Sequence, residues 1–84
     1  MDQLARTARQ FSAVLRRARK RRGLSQVQLG EQIHRRQATI SKLEAGEPAT
    51  QLQTLLDVLA ALDLELVIRP RTKASPSEIE EAFR

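Results

Sequence analysis

Residues 25–46, SQVQLGEQIHRRQATISKLEAG, hold the side chains whose types and spacing point to chemistry. Ile40 and Leu43 stand three apart, on one stripe of a short helix, and face inward. That leaves Gln37, Ala38, Thr39, Ser41 and Lys42 pointing elsewhere, with Arg36 at the rim. These residue types suit the reading of base edges in a DNA groove. Gln bonds adenine in a bidentate way, Ala or Thr packs on a thymine methyl, and Lys reaches guanine. Each good bidentate pair contributes roughly 1–3 kcal/mol of discrimination. Taken singly, such residues would be ordinary exposed helix surface; their place in the motif favours the reading role.

A second group of side chains could hold phosphate. The 84 residues carry fifteen Lys plus Arg against ten Asp plus Glu, a net charge of +5, with a pI near 11.1. The excess is concentrated in residues 16–22, RRARKRR, with six cations in seven positions. A basic stripe is the footprint expected of phosphate contact, and a solvated helix face is the plainer alternative. Arg16, Arg17, Lys20 and Arg21 are the backbone candidates on this helix, joined by Arg35. Ser25 and Gln26 open the next helix, where the positive helix end favours an anion. Ser25 is equally well explained as an N-cap. Such contacts position a protein on DNA without specifying sequence.

Other chemistries find little support. The single histidine, His34, has no ligand-spaced partners, and no phosphate loop, nucleophile motif or metal signature appears. No enzyme activity, cofactor or metal is expected. With no cysteines there is no disulfide framework, which fits a reducing cytosol. No membrane span or signal peptide is visible, so the expected setting is the cytoplasm. Two Phe are the only aromatics, and their scarcity favours duplex over single-stranded nucleic acid.

The elements that must position these residues can be read from periodicity and punctuation. Leu4, Ala8, Phe11, Leu15 and Ala18 give a first helix from about Ala8, with Leu4 as an earlier start, to Arg22. Gly23 closes it and Leu24 turns the corner into the core. Ser25 caps a second helix with Leu29 and Ile33 inward. Gly30 sits mid-helix at a cost of roughly 1 kcal/mol, which close approach of another helix would justify. At His34 the backbone is expected to turn through positive φ, which His tolerates better than most residues. A third helix covers about Arg36 to Ala45, and Gly46, Glu47 and Pro48 break it. Thr50 is expected to cap a fourth helix to Leu62, with Leu52, Leu55, Leu56, Leu59 and Leu62 as its buried stripe. In residues 63–69 the period changes to two, as in a half-buried strand. A lone strand leaves an edge that another copy could pair with about a two-fold axis, through Leu64, Leu66, Val67 and Ile68. The expected layout is therefore an N-terminal extension at 1–7, a DNA-binding domain at 8–62, a dimerisation strand at 63–69 and a flexible tail at 70–84. Within that tail, a short helix from Ser77 is possible on pattern alone.

The run from Ser25 to Gly46 resembles the helix-turn-helix of the XRE/Cro-like family, which includes phage repressors. The resemblance implies an all-α, lambda-repressor-like four-helix domain, here with one C-terminal β-strand pairing across a homodimer. It also implies that Gln26 braces Gln37, and that Arg19 and Glu44 form a structural ion pair rather than base contacts. Gln-Ala-Thr-Ile-Ser, the leucine-rich fourth helix and Leu-Glu-Leu look like the HipB-type antitoxin branch over about residues 9–69. That branch implies a homodimer on a palindromic operator upstream of its own operon. It further implies a HipA-type serine/threonine kinase toxin as partner, and a tail that admits a protease. A stand-alone XRE-family repressor without a toxin is the alternative. A protein that mainly binds a partner through its C-terminal strand is a third reading.

Overall fold

A computed structural model describes residues 3–71 as four helices. They are α1 (Ala8–Arg21), α2 (Gln26–Ile33), α3 (Gln37–Glu44) and α4 (Leu52–Ala61). The end of the chain beyond Arg71, with the expected tail and its short helix, lies outside the described residues, as do Met1 and Asp2. Helices of eight to fourteen residues are marginal in isolation, so tertiary packing must hold them. That packing centres on Leu15, Ala18, Leu29, Ile40, Leu43, Val58, Leu59 and Leu62, all buried. Phe11, Leu24, Ile33, Leu55 and Leu64 pack against this cluster from its margin.

The helix starts are set by short-range caps. Thr7 Oγ1 accepts from the Gln10 N–H at 3.1 Å and caps α1, so residues 3–7 stay outside the helix and Leu4 is exposed. Ala8, expected on the inward face, is exposed at the first turn. Ser25 and Gln28 form a reciprocal capping box at α2, with bonds of 3.0 and 2.8 Å. Thr50 is not the cap of α4, contrary to its sequence context. Its hydroxyl donates to the Glu47 carbonyl at 3.2 Å, and Gln51 holds the cap position without a side-chain bond.

All four helices end alike. A residue with positive φ follows each one: Gly23, His34, Gly46 and Asp63. The next N–H then bonds a carbonyl five residues back: Leu24 to Arg19, Arg35 to Gly30, Glu47 to Lys42 and Leu64 to Leu59. This is the Schellman closure, and it satisfies carbonyls the helix leaves open. His34 adopts φ 58°, ψ 44°, as its position between α2 and α3 requires. Asp63 closes α4 with φ 57° and so belongs to the helix end rather than to a strand. Residues 64–71 form no regular element within the single chain.

The buried stripe of α4 differs from expectation. Thr54, Val58 and Leu59 are buried, with Leu62 just beyond, whereas Leu52 is 64% and Leu56 42% exposed. The helix carries leucine on more than one face, so spacing alone allowed two stripes, and the contact with α2 selected one.

Gly30 is tested by the corner it borders. A Cβ there would lie 2.6 Å from the Arg35 carbonyl oxygen. Helix propensity favours Gly30→Ala by roughly 1 kcal/mol, but the close carbonyl makes this variant less stable than the parent. His34→Gly is expected to match or exceed the parent, because it relieves left-handed strain of roughly 1 kcal/mol. Urea melts followed by circular dichroism check both signs.

Candidate nucleic-acid interface

The cationic stripe of α1, the start of α2 and the polar face of α3 are tied together by a buried fork. Of the six cations in residues 16–22, Arg19 alone is buried. It lies one turn beyond Leu15 on the inward stripe that begins with Ser12. Its Nε and Nη2 donate to the two Glu44 carboxylate oxygens at 2.6 and 2.8 Å, and its Nη1 donates to the Leu24 carbonyl at 2.7 Å. Side-chain exposure is 8% for Arg19 and 4% for Glu44. The bonds to Glu44 raise the Arg19 pKa above its ordinary value, against the opposing effect of burial, so the buried guanidinium is held in its charged form.

The pair continues outward. Gln26 Nε2 donates to Glu44 Oε1 at 3.3 Å, and Gln37 Nε2 donates to Gln26 Oε1 at 3.1 Å. The chain of bonds runs from the core to Gln37, the first residue of α3, whose side chain is exposed. Arg36, Ala38, Ser41 and Lys42 are also exposed, and Thr39 is half-buried. Ile40 and Leu43 are buried and anchor the opposite face of this helix. A shallow groove alongside is lined by Arg35, Thr39, Lys42, Thr50, Gln51 and Thr54. Arg36 occupies the N-cap position of α3 with an extended backbone and no side-chain cap bond.

The backbone candidates divide by their local partners. Arg16, Lys20 and Arg21 are exposed on α1. Arg17 is exposed too, and its Nη2 donates to Gln3 Oε1 at 3.0 Å. Arg35 is half-buried and pairs with Asp57 on α4 at 3.6 Å. Ser25 Oγ accepts the capping bond from Gln28, and the Gln26 amide is engaged by Glu44 and Gln37. The N–H of Gln26, at the first position of α2, has no intrahelical acceptor.

Two residues that position the site belong to no motif in the sequence. Ser12 is buried, and its hydroxyl donates to the Leu43 carbonyl at the end of α3. Its spacing from Leu15 and Arg19, three and seven residues, puts it on the inward stripe and would have flagged it. Asp57 ties α4 to the corner through Arg35, and also accepts from Gln53 Nε2 at 2.9 Å. Nothing local in the sequence marks that pairing.

A helix-turn-helix domain family matches residues 10–71. Antitoxin HipB of Escherichia coli strain K12 is 31% identical over 72 residues, covering 86% of this chain and 82% of that protein. The chain belongs to the helix-turn-helix family of HipB-type antitoxins. HipB of Escherichia coli O6:H1 is also 31% identical, over 86% of this chain and 77% of its own. Among solved structures, a complex of a HipB variant with an O2 20mer superposes with a TM-score of 0.80 at 26% identity, covering 86% of this chain and all of that one. The structure of a HipA-HipB-O2-O3 complex gives 0.78 at 27% identity, over 84% of this chain and 100% of that chain. This HipB-type chain has no helix among its described residues that is long and apolar enough to cross a membrane. Nor do three or more His, Cys, Asp or Glu side chains gather there as a metal site.

Removing Arg19 leaves Glu44 buried without its counter-ion. For a buried pair that loss costs roughly 3–5 kcal/mol, a large share of the roughly 5–15 kcal/mol typical of a whole domain. Arg19→Ala is therefore expected to unfold at much lower urea than the parent. Arg17→Ala, on the exposed side of the same helix, is expected to stay within about 0.5 kcal/mol. Equal urea midpoints for the two variants would contradict this division.

Proposed function

We propose that the chain is the DNA-binding antitoxin of a HipBA-type toxin–antitoxin system. In this reading it binds a palindromic operator as a homodimer, represses its own operon and neutralises a HipA-type serine/threonine kinase toxin. The observation that carries the reading is the exposed face of α3, held to the core through Gln26 and Glu44 in a chain whose family is that of HipB. A complex of HipB with HipA and with O2-O3 supports both partners by homology.

Arg36, Gln37, Ala38, Thr39, Ser41 and Lys42 take the major groove, as the second helix of a helix-turn-helix does. Arg16, Arg17, Lys20, Arg21 and Arg35, with Ser25 and Gln26, face phosphates. Electrostatic contacts of this kind make affinity fall steeply with salt. Retardation of DNA from immediately upstream of the gene tests the reading, at near-physiological salt with excess competitor, with and without the adjacent gene product. Specific retardation that tightens with that product is expected, because a toxin bound to the dimer adds contacts by avidity. Specific binding indifferent to it would leave a stand-alone XRE-family repressor, and no specific binding would move the function to partner binding.

The homodimer reading rests on apolar surface. Leu66, Val67 and Ile68 are 52%, 69% and 90% exposed, and Leu52 and Leu56 of α4 are exposed with them. Such residues are costly to leave in water at roughly 25 cal/mol per Å² of apolar area, and two copies of the segment would pair as antiparallel strands. Leu64, the fourth dimerisation candidate, packs against the chain's own core. Ile68→Glu, which leaves that core untouched, is expected to give folded monomers in sedimentation at micromolar concentration. A dimer that survives it would remove the strand from the interface.

A further inference from the structure

Arg35 differs from the exposed cations of α1 in being held from two sides. Its backbone N–H donates to the Gly30 carbonyl at 2.8 Å. Its own carbonyl oxygen fills the space that a Cβ on Gly30 would need, so the Arg35 backbone is fixed against α2. The side chain crosses to α4, where Nη2 stands 3.6 Å from Asp57 Oδ2, at side-chain exposures of 35% and 32%. The other carboxylate oxygen, Oδ1, accepts from Gln53 Nε2 at 2.9 Å, one turn back on α4. Asp57 is thus held in its turn. A contact of 3.6 Å is longer than a hydrogen bond. It directs the guanidinium by charge and leaves the N–H groups to other acceptors.

The guanidinium lines the groove beside α3, together with Thr39, Lys42, Glu47 and Thr50. Glu47 has a local partner there, the Ala49 N–H at 3.3 Å. An ion pair as exposed as Arg35 and Asp57 contributes little to stability, so bracing the corner is a poor account of it. Holding a cation ready is a better one. A long side chain loses rotamer freedom when it binds, and a neighbour that has already restricted it removes part of that cost. The planar fork then offers N–H groups in fixed directions to an anion. We propose that Asp57 is a positioning residue, which aims Arg35 across this groove at a DNA phosphate flanking the base-reading face. Because Asp57 also offsets the charge of Arg35, the contact adds placement through hydrogen bonds rather than long-range attraction. The inference rests on the reading of α3 as the helix that faces DNA.

The test is retardation of DNA from immediately upstream of the gene, and of a scrambled duplex of equal length, at near-physiological and at raised salt. Arg35→Gln combined with Asp57→Asn removes the pair and keeps the parental net charge. This double variant is expected to bind both duplexes about tenfold more weakly, the loss of one charge-assisted contact, with the parental salt dependence and melting temperature. Asp57→Asn alone adds one net positive charge. It is nevertheless expected to bind more weakly than the parent at raised salt, where the added charge is screened and the lost aim remains. Arg35→Asp combined with Asp57→Arg reverses the pair. It is expected to keep the parental melting temperature and the weak binding of the double variant, because its guanidinium springs from α4. Parental affinity in the reversed pair would mark a brace of the corner and overturn the proposal. Parental affinity in the double variant, or tighter binding by Asp57→Asn at both salts, would overturn it as well. In each of these cases retardation by the parent leaves the reading of α3 standing. If the parent retards neither duplex, that reading falls and the proposal with it.

Discussion

The guanidinium of Arg19 joins three segments that share no regular hydrogen bonding. Its planar fork reaches the carboxylate at the end of α3 and the carbonyl of Leu24 at the corner leading to α2, all from within α1. A lysine would supply one point charge; the arginine supplies several N–H bonds in fixed directions. Desolvating two charges offsets most of their attraction, so a pair of this kind contributes orientation more than net stability. Orientation is what the molecule needs. Helices α2 and α3 have eight residues each and cannot hold their own angle, so the presentation of Gln37 depends on a pair buried behind it.

The corners serve the same end. Each helix stops within a single residue of positive φ and passes its chain onward through one long bond to a carbonyl five residues back. A turn that short gives neighbouring helices little room to change their crossing. Between α2 and α3 the fit is tight enough that the missing side chain of Gly30 is occupied by the Arg35 carbonyl. Ser12 closes the arrangement from the other side by satisfying the carbonyl of Leu43. A small apolar core, a forked ion pair and one buried hydroxyl together hold the face of α3 outward.

The same architecture leaves a surface unfinished. Helix α4 gives its Val58 and Leu59 to the core and keeps Leu52 and Leu56 outside, and the segment that follows adds Leu66, Val67 and Ile68. In the proposed homodimer this apolar surface is what a second copy would cover. Under the proposed function, dimerisation would place two α3 faces on one duplex, so the apolar surface and the proposed DNA-reading face would serve one assembly.

Much of this was legible in the sequence because it is local. Periods of three and four marked the helices, glycine marked two of the four corners, and Ser25 marked the cap of the second helix. Resemblance to the helix-turn-helix family supplied the partner of Arg19 and the brace on Gln37, which spacing could not. Tertiary structure decided the rest. It chose the Thr54, Val58 and Leu59 side of α4 over the Leu52 and Leu56 side, because periodicity defines a face but not what will cover it. Leu4 was left in solvent because α1 starts only after Thr7, and Ala8 is exposed at the first turn. Arg35 was drawn to Asp57, and Asp63 into the left-handed end of α4. These outcomes depend on groups far apart in the chain or on how a neighbouring helix approaches. A linear pattern carries the preference of each residue, and only the folded chain brings together the partners that settle it.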